Sequence, residues 1–376
     1  IGNALPIMIS TITPRFRNLD NERLIRILSL QNSDLTWEKV YETNFGTDIG
    51  FLSNAISLSV DLYQKNSKDL LDIVRTSGMG GEMNKYANDA SMTTRGVELV
   101  LDTRNFKTED FTWSTSVNFA YFNQEITSLA NASNSVFNLV RETGGNVLGN
   151  PRNTLYSYDF AGLNSQGMPL LNLKNGSTDY KDIDFQDRDN ILSYLKKEGA
   201  VDPNITGGLS NTFRYKNWEL NFLITMQAGN KIRKAPLYKG AGYDDLSVFP
   251  REFKNRWVAP GDEALTQIPG IVSQRTLNEE NKAYISRAYS AYNHSTARVV
   301  DGSFVRMKSI SLSYTFDKEV LENLNIGNLT LRLQASNPFL IYAHKDLNGQ
   351  DPEFFRSGGV AYPITPQYTF TINLGI

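Results

Sequence analysis

Side chains able to do chemistry are few and scattered in this sequence. His294 and His344 are its two imidazoles, and neither has a second ligand at metal spacing, so both read as surface residues of loops. There is no cysteine, which removes thiolate metal sites, thiol nucleophiles and disulfides together. No G-x-S-x-G elbow, P-loop or H-E-x-x-H helix occurs. Asp182, Asp184, Asp187 and Asp189 form an acidic cluster whose alternating carboxylates could suit calcium. The glycine and closing glutamate of an EF-hand loop are missing, however, and a solvated loop is the simpler expectation. No catalytic, cofactor or metal residue is assigned, and the reading is of a protein that is not an enzyme.

Rings are the other candidates. Tyr238, Tyr243, Phe249, Trp257, Tyr284, Tyr289 and Tyr292 crowd residues 229–302. Such rings stack on sugars or peptide side chains, or bury against a partner protein. They also pack a long segment on itself, which is the expectation for most of them. No residue is assigned to substrate.

The elements that must hold these segments are strands. A half-buried strand alternates with period two, and the sequence does so repeatedly. Ile56, Leu58, Val60 and Leu62 alternate with Ser57, Ser59 and Asp61. Trp113 to Tyr121 and Trp218 to Met226 behave the same way. Ile310 to Phe316, Leu329 to Ala335 and Tyr368 to Ile376 are cleaner still. These apolar faces run for about 8–10 residues, the length that crosses a bilayer at a tilt. Their opposite faces are mostly small and neutral, which suits a wet or plugged lumen better than open water. Trp37, Trp113, Trp218, Phe316 and Tyr342 stand near strand ends, as interfacial aromatics do. No apolar run approaches the roughly 20 residues of a membrane helix. With a net charge of −2 there is no basic footprint for nucleic acid.

The expectation is an all-β protein, a transmembrane antiparallel β-barrel with long extracellular loops. Nine strands are expected to begin near residues 38, 55, 93, 111, 205, 217, 303, 328 and 366. Short connections (52–54, 104–110, 216–217, 317–327) alternate with long ones (65–91, 125–204, 229–302, 343–365). Because outer-membrane barrels keep short turns periplasmic, the long ones are expected outside. Tyr156 to Phe160 reads as a strand but would break this parity, so it is assigned to an extracellular subdomain. The expected divisions are a rim loop or strand remnant over 1–36, barrel strands over 37–124, an extracellular loop subdomain over 125–204 and C-terminal barrel strands over 205–376. The odd strand number, and a start lacking Met or a signal sequence, lead us to expect a preceding portion. The ending in Ile376, where an aromatic is usual, leads us to expect a residue or two more.

Specific wording supports this. Asn32 to Lys39 and then Thr43 to Leu52 resemble the "NPDLKWE…NxGxDxGFL" passage of the SusC/RagA family of TonB-dependent outer-membrane transporters. Arg95-Gly96-Val97-Glu98-Leu99 is similar to the "RGVEL" strand found across TonB-dependent receptors. Phe160 to Leu163 with Gly167 to Leu170 resembles "AGLDPxTGxP", and Arg256 to Glu263 resembles "RWxxPGDE". Asp301 to Lys308 resembles "DASYLRLKN". The resemblance implies the C-terminal part of a barrel of about twenty-two strands around a plug. It implies TonB-dependent import of oligosaccharides or peptides across a Gram-negative outer membrane. The implied partners are a SusD-like surface lipoprotein, the TonB complex through a plug region outside this chain, and outer-membrane lipid. A siderophore- or cobalamin-type receptor is the alternative, and a non-transporting β-rich carbohydrate-binding surface protein is another.

Overall fold

Backbone pairing follows the hydropathy pattern closely. The computed structural model describes residues 9–14, 23–29, 32–75, 84–129, 136–185, 190–239, 248–279, 282–322, 326–357 and 365–375. A separate hairpin of β1 (Ile9–Pro14) and β2 (Arg23–Ser29) comes first. Strands β3 (Lys39–Phe51), β4 (Ile56–Arg75), β5 (Asn84–Lys107) and β6 (Phe111–Leu129) then form a meander. An insertion follows with β7 (Thr154–Tyr158), β8 (Phe160–Leu163), β9 (Pro169–Leu171) and β10 (Leu195–Ala200). The meander resumes with β11 (Ile205–Tyr215) and β12 (Trp218–Ala228). A second insertion opens with β13 (Lys231–Arg233) and closes with β14 (Val299–Asp301), its pairing partner. The last strands are β15 (Phe304–Thr315), β16 (Asn328–Ala343) and β17 (Gln367–Gly375).

Nine strands make one antiparallel sheet in the order β3-β4-β5-β6-β11-β12-β15-β16-β17. It is open, with β3 and β17 at its edges. Unpaired backbone is not tolerated in hydrocarbon, so this sheet is a portion of a barrel. As expected, β7 stays out of it and pairs with β10.

Register lays the apolar residues in level rows. Ile49, Leu58, Leu101, Val117, Leu209, Ile224, Met307 and Phe339 occupy one row across successive strands. Two rows on, past Val60, Leu99 and Phe119, stand Phe45, Leu62, Val97 and Tyr121. Beyond them stand Thr43, Gln64, Arg95 and Asn123, and Arg95 Nε donates to Gln64 Oε1 at 2.8 Å. The belt therefore ends in polar side chains toward the long loops. On strands paired on both sides, Leu62 is 50% exposed and Leu333 58%, levels that a water-facing sheet of this length would not sustain.

At the short-turn end the belt finishes in rings. Trp113 stacks on Phe213 with centroids 5.6 Å apart, and Trp218 lies 4.8 Å from Tyr314. Asn211 is the polar intruder in this zone, 7% exposed. Its Oδ1 accepts from Trp113 Nε1 at 2.8 Å and from Thr115 Oγ1 at 2.7 Å, which removes the cost of burying it.

The opposite, lumen-side face is more closely fitted. Gly96 sits beneath the ring of Tyr63, and a Cβ at Gly96 would collide with that ring. The glycine of the Arg95-Gly96-Val97 passage is thus a seat for a neighbouring strand's tyrosine.

One connection differs from expectation. Instead of a loop over 65–91, β4 runs to Arg75 and β5 begins at Asn84, giving strands of 20 and 24 residues. At about 3.3 Å per residue the pair projects well beyond a bilayer. Polar residues from Gln64 to Asp69 end the alternation, while Asp69 at φ 56° bulges and lets pairing restart at Leu70. Backbone hydrogen bonds continue where the hydropathy signal stops.

Candidate functional site: the long-loop assembly

The two insertions fold onto each other. Tyr158 N donates to His294 O at 3.1 Å, and Phe160 N donates to Thr296 Oγ1 at 3.1 Å. One hydrophobic cluster joins Leu139, Tyr156, Tyr158, Leu171 and Ile191 of the first insertion to Ala291 of the second. Another joins Leu237, Tyr238, Leu277, Ile285, Tyr289 and Tyr292 to Phe160 and Met168. The helix Lys282–Asn293 explains this, because Ile285, Ala288, Tyr289 and Tyr292 fall at helical spacing on one buried face. It ends in Asn293, whose Oδ1 accepts from Leu237 N at 2.9 Å and whose Nδ2 donates to Tyr238 O at 2.6 Å.

Most of the aromatic candidates are thereby committed to packing. Tyr289 donates its hydroxyl to Gly270 O at 2.6 Å, and Tyr238 donates to Pro269 O. Burial raises the pKa of both hydroxyls and pushes that of Tyr292 up to about 12. Phe249 stacks on Phe253 at 4.2 Å, and Tyr284 donates to Asp179. Trp257 covers Gly167, where a Cβ would strike its ring, and Gly270 N donates to Gly167 O at 2.9 Å. Two passages that resembled family wording, around Gly167 and around Trp257, are therefore one packing unit. Tyr243 lies outside the described residues.

Neither histidine is built into a site. His294 is half-buried with Nδ1 2.8 Å from Ser290 O, and burial lowers its pKa. His344 Nδ1 accepts from Asp346 N at 3.3 Å. Asp182 accepts from Ser177 Oγ at 2.5 Å, while Asp187 and Asp189 lie outside the described residues. Among the described residues no group of three or more His, Asp or Glu is placed to hold a metal ion.

The groups that organise the assembly are charges which sequence reading passed over. Arg233, 2% exposed, donates from Nη2 to Tyr156 O at 2.7 Å and Ser157 Oγ at 2.9 Å, and from Nη1 to Ser295 O at 3.2 Å. Burial lowers its pKa to about 10, with Glu198 and Glu142 opposing the fall. Arg298, 1% exposed, donates to Glu252 Oε1 at 2.7 Å, and Lys234 donates to Glu252 Oε2 at 2.9 Å. Arg306, from the polar face of β15, grips Asp351 beyond β16. No sequence signal marks these residues. An arginine beside a short strand reads as solvated until its neighbours are known.

Between the insertions and the sheet lies a cavity of about 260 Å³. Gln227 and Phe304 line it from the lumen-side face, Glu142 and Val201 from the first insertion, and Asn230 and Arg233 from the second. The assembly is thus seated on the lumen side of the strands. It presents donors, acceptors and apolar walls together, which is the chemistry of solute recognition.

Comparison with known proteins agrees with this architecture. The family model described as TonB dependent receptor-like, beta-barrel matches residues 13–338. A TonB-dependent receptor of Formosa agariphila is 26% identical over 89% of this chain and 34% of its own length. The TonB-dependent receptor SusC of Bacteroides thetaiotaomicron is 25% identical over 92% of this chain and 32% of its own. The structure of the RagAB peptide importer in its open-open state superposes with TM-score 0.74 at 24% identity, over 100% of this chain and 38% of that one. The chain spans about a third of the length of the curated relatives it matches. It is a member of the TonB-dependent receptor-like β-barrel family, of the SusC/RagA type.

Proposed function

We propose that this chain supplies barrel wall and extracellular loops to a SusC/RagA-type importer of the Gram-negative outer membrane. The observation that carries the reading is the seating of both insertions on the lumen-side face, where Gln227 and Phe304 share a cavity with Glu142 and Arg233. Loops in that place meet a solute before it enters the barrel. A surface lipoprotein of SusD type closes over them, and oligosaccharides or peptides are the cargo. TonB acts through a plug region to release the cargo inward. The relatives are named receptors, and no catalytic step is assigned to this chain.

Uptake of a labelled oligopeptide pool and a labelled oligosaccharide pool tests this in cells carrying or lacking the gene. Uptake of one pool should fall on deleting either the gene or TonB, and the lipoprotein should copurify with the full-length receptor. Unchanged uptake of both pools in the deletion strain would sink the proposal.

A further inference from the structure

The lipid side of the sheet carries exposed cations just beyond the apolar belt. Lys39 of β3 and Lys68 of β4 stand directly opposite each other in the strand pair. Lys68 Nζ lies 5.6 Å from the centroid of the Tyr41 ring, which puts it on the face of Tyr41 and Phe45. Arg95 of β5 stands opposite Gln64, in the first row past the belt. The two levels are about 13 Å apart along the strands, the rise of the four residues from Gln64 to Lys68. Like charges set opposite one another on a sheet face repel. Asp69, at the bulge, answers Lys39 at 2.6 Å. Among the described residues neither Lys68 nor Arg95 pairs with a carboxylate. Glu125, in the row of Tyr41, is the other acid at this height, so three cations face two carboxylates. The lumen-side face differs, since Lys65 there has Glu42 3.6 Å away.

Cations on this face are excluded from hydrocarbon and attracted to anionic headgroups, and their level, immediately past Leu62 and Val97, is headgroup depth. Thr43, Gln64 and Asn66 lie between them and offer neutral hydrogen-bonding groups. We propose that this face binds the phosphorylated saccharide headgroup of an outer-leaflet lipid. Lys39 and Lys68 share one phosphate, which relieves their mutual repulsion. The Nη atoms of Arg95 take a second phosphate, and the sugars lie along Thr43, Gln64 and Asn66 between the two. The inference rests on the barrel and its orientation, and it is independent of the cargo.

Native mass spectrometry of the full-length receptor in neutral detergent tests the site with diphosphoryl lipid A, the same lipid stripped of both phosphates, and inorganic phosphate. Diphosphoryl lipid A should bind about tenfold or more tighter than the stripped lipid, the scale of one charge-assisted hydrogen bond. That preference should vanish in the double variant Lys68→Gln, Arg95→Gln. Lys65→Gln, on the lumen-side face, should keep it, and the heat-shifted gel band checks that each variant is folded. Equal binding of the two lipids, a preference that survives the double variant, or no binding of either lipid would overturn the site. An equal loss in Lys65→Gln would reduce the effect to net charge and overturn it too. Displacement of the lipid by millimolar inorganic phosphate would assign the cations to a soluble anion and overturn the lipid headgroup.

Discussion

Arg306 Nη2 lies 2.5 Å from one carboxylate oxygen of Asp351 and 2.6 Å from the other, with both side chains 3% exposed. The pair fastens the segment after β16 to the lumen-side face of β15. Truncating one member leaves the other charged and buried, which costs about 3–5 kcal/mol. Arg306→Ala should therefore loosen residues 345–357 by hydrogen exchange and lower resistance to denaturant. Adding Asp351→Asn should recover part of the loss, and a double variant no better than the single would contradict the pairing.

Glu252 gives the loop assembly an acid limit. Burial pushes its carboxyl up, but Arg298 and Lys234 together outweigh burial and hold it below the ordinary glutamate range. A carboxyl depressed in the folded state stabilises fully above its unfolded pKa, and that stabilisation is lost as pH falls through the folded value. Hydrogen exchange over 229–303 should accelerate as pH falls below the ordinary glutamate range, after correction for intrinsic rates. In Glu252→Gln that acid-dependent component should disappear, on a baseline already about 3 kcal/mol weaker because two cations lose their partner.

A side chain at Gly96 should displace the Tyr63 ring. A methyl group there meets the Tyr63 ring, and overpacking of this kind costs about 1–3 kcal/mol. Gly96→Ala should slow folding into vesicles, read as the heat-shifted band on a gel, and Tyr63→Ala in the same chain should relieve the clash. No relief in the double variant would mean that the glycine serves another purpose.

Asn211 separates hydrogen bonding from hydrophobicity on the membrane side. Asn211→Ala strands Trp113 Nε1 and leaves Thr115 Oγ1 with only its bond from Asn105 Nδ2, at a cost of about 1–3 kcal/mol. Trp113→Phe leaves Asn211 with Thr115 and should cost less. Equilibrium unfolding from lipid vesicles measures both, and the reverse ranking would refute the account.

The strands were legible because lipid on one side and a polar lumen on the other impose a strict period on the residues. That period placed the starts of β3, β4, β6, β11, β12, β15, β16 and β17 within a residue or so. It failed at β5, where residues 84–92 pair by backbone alone and Asp69 absorbs the break in register. The loops obey no such period. Their aromatic richness showed that something was being covered, but Tyr238 and Tyr292 are told from Phe249 only by partners far along the chain, Pro269 and Tyr289 for Tyr238 and Phe160 for Tyr292. The buried arginines were hidden for the same reason. Arg233 finds Tyr156 and Ser157 some 76–77 residues away, a distance at which sequence offers no periodic clue.

That long reach has an evolutionary corollary. Tyr156 O and Ser157 Oγ come from the first insertion, whereas Arg233 and its third acceptor, Ser295 O, belong to the second. A receptor that exchanges the first loop alone strips a buried cation of two of its three acceptors. New cargo preferences should therefore be inherited as a linked cassette of both insertions, with β11 and β12 carried between them as an unchanged spacer.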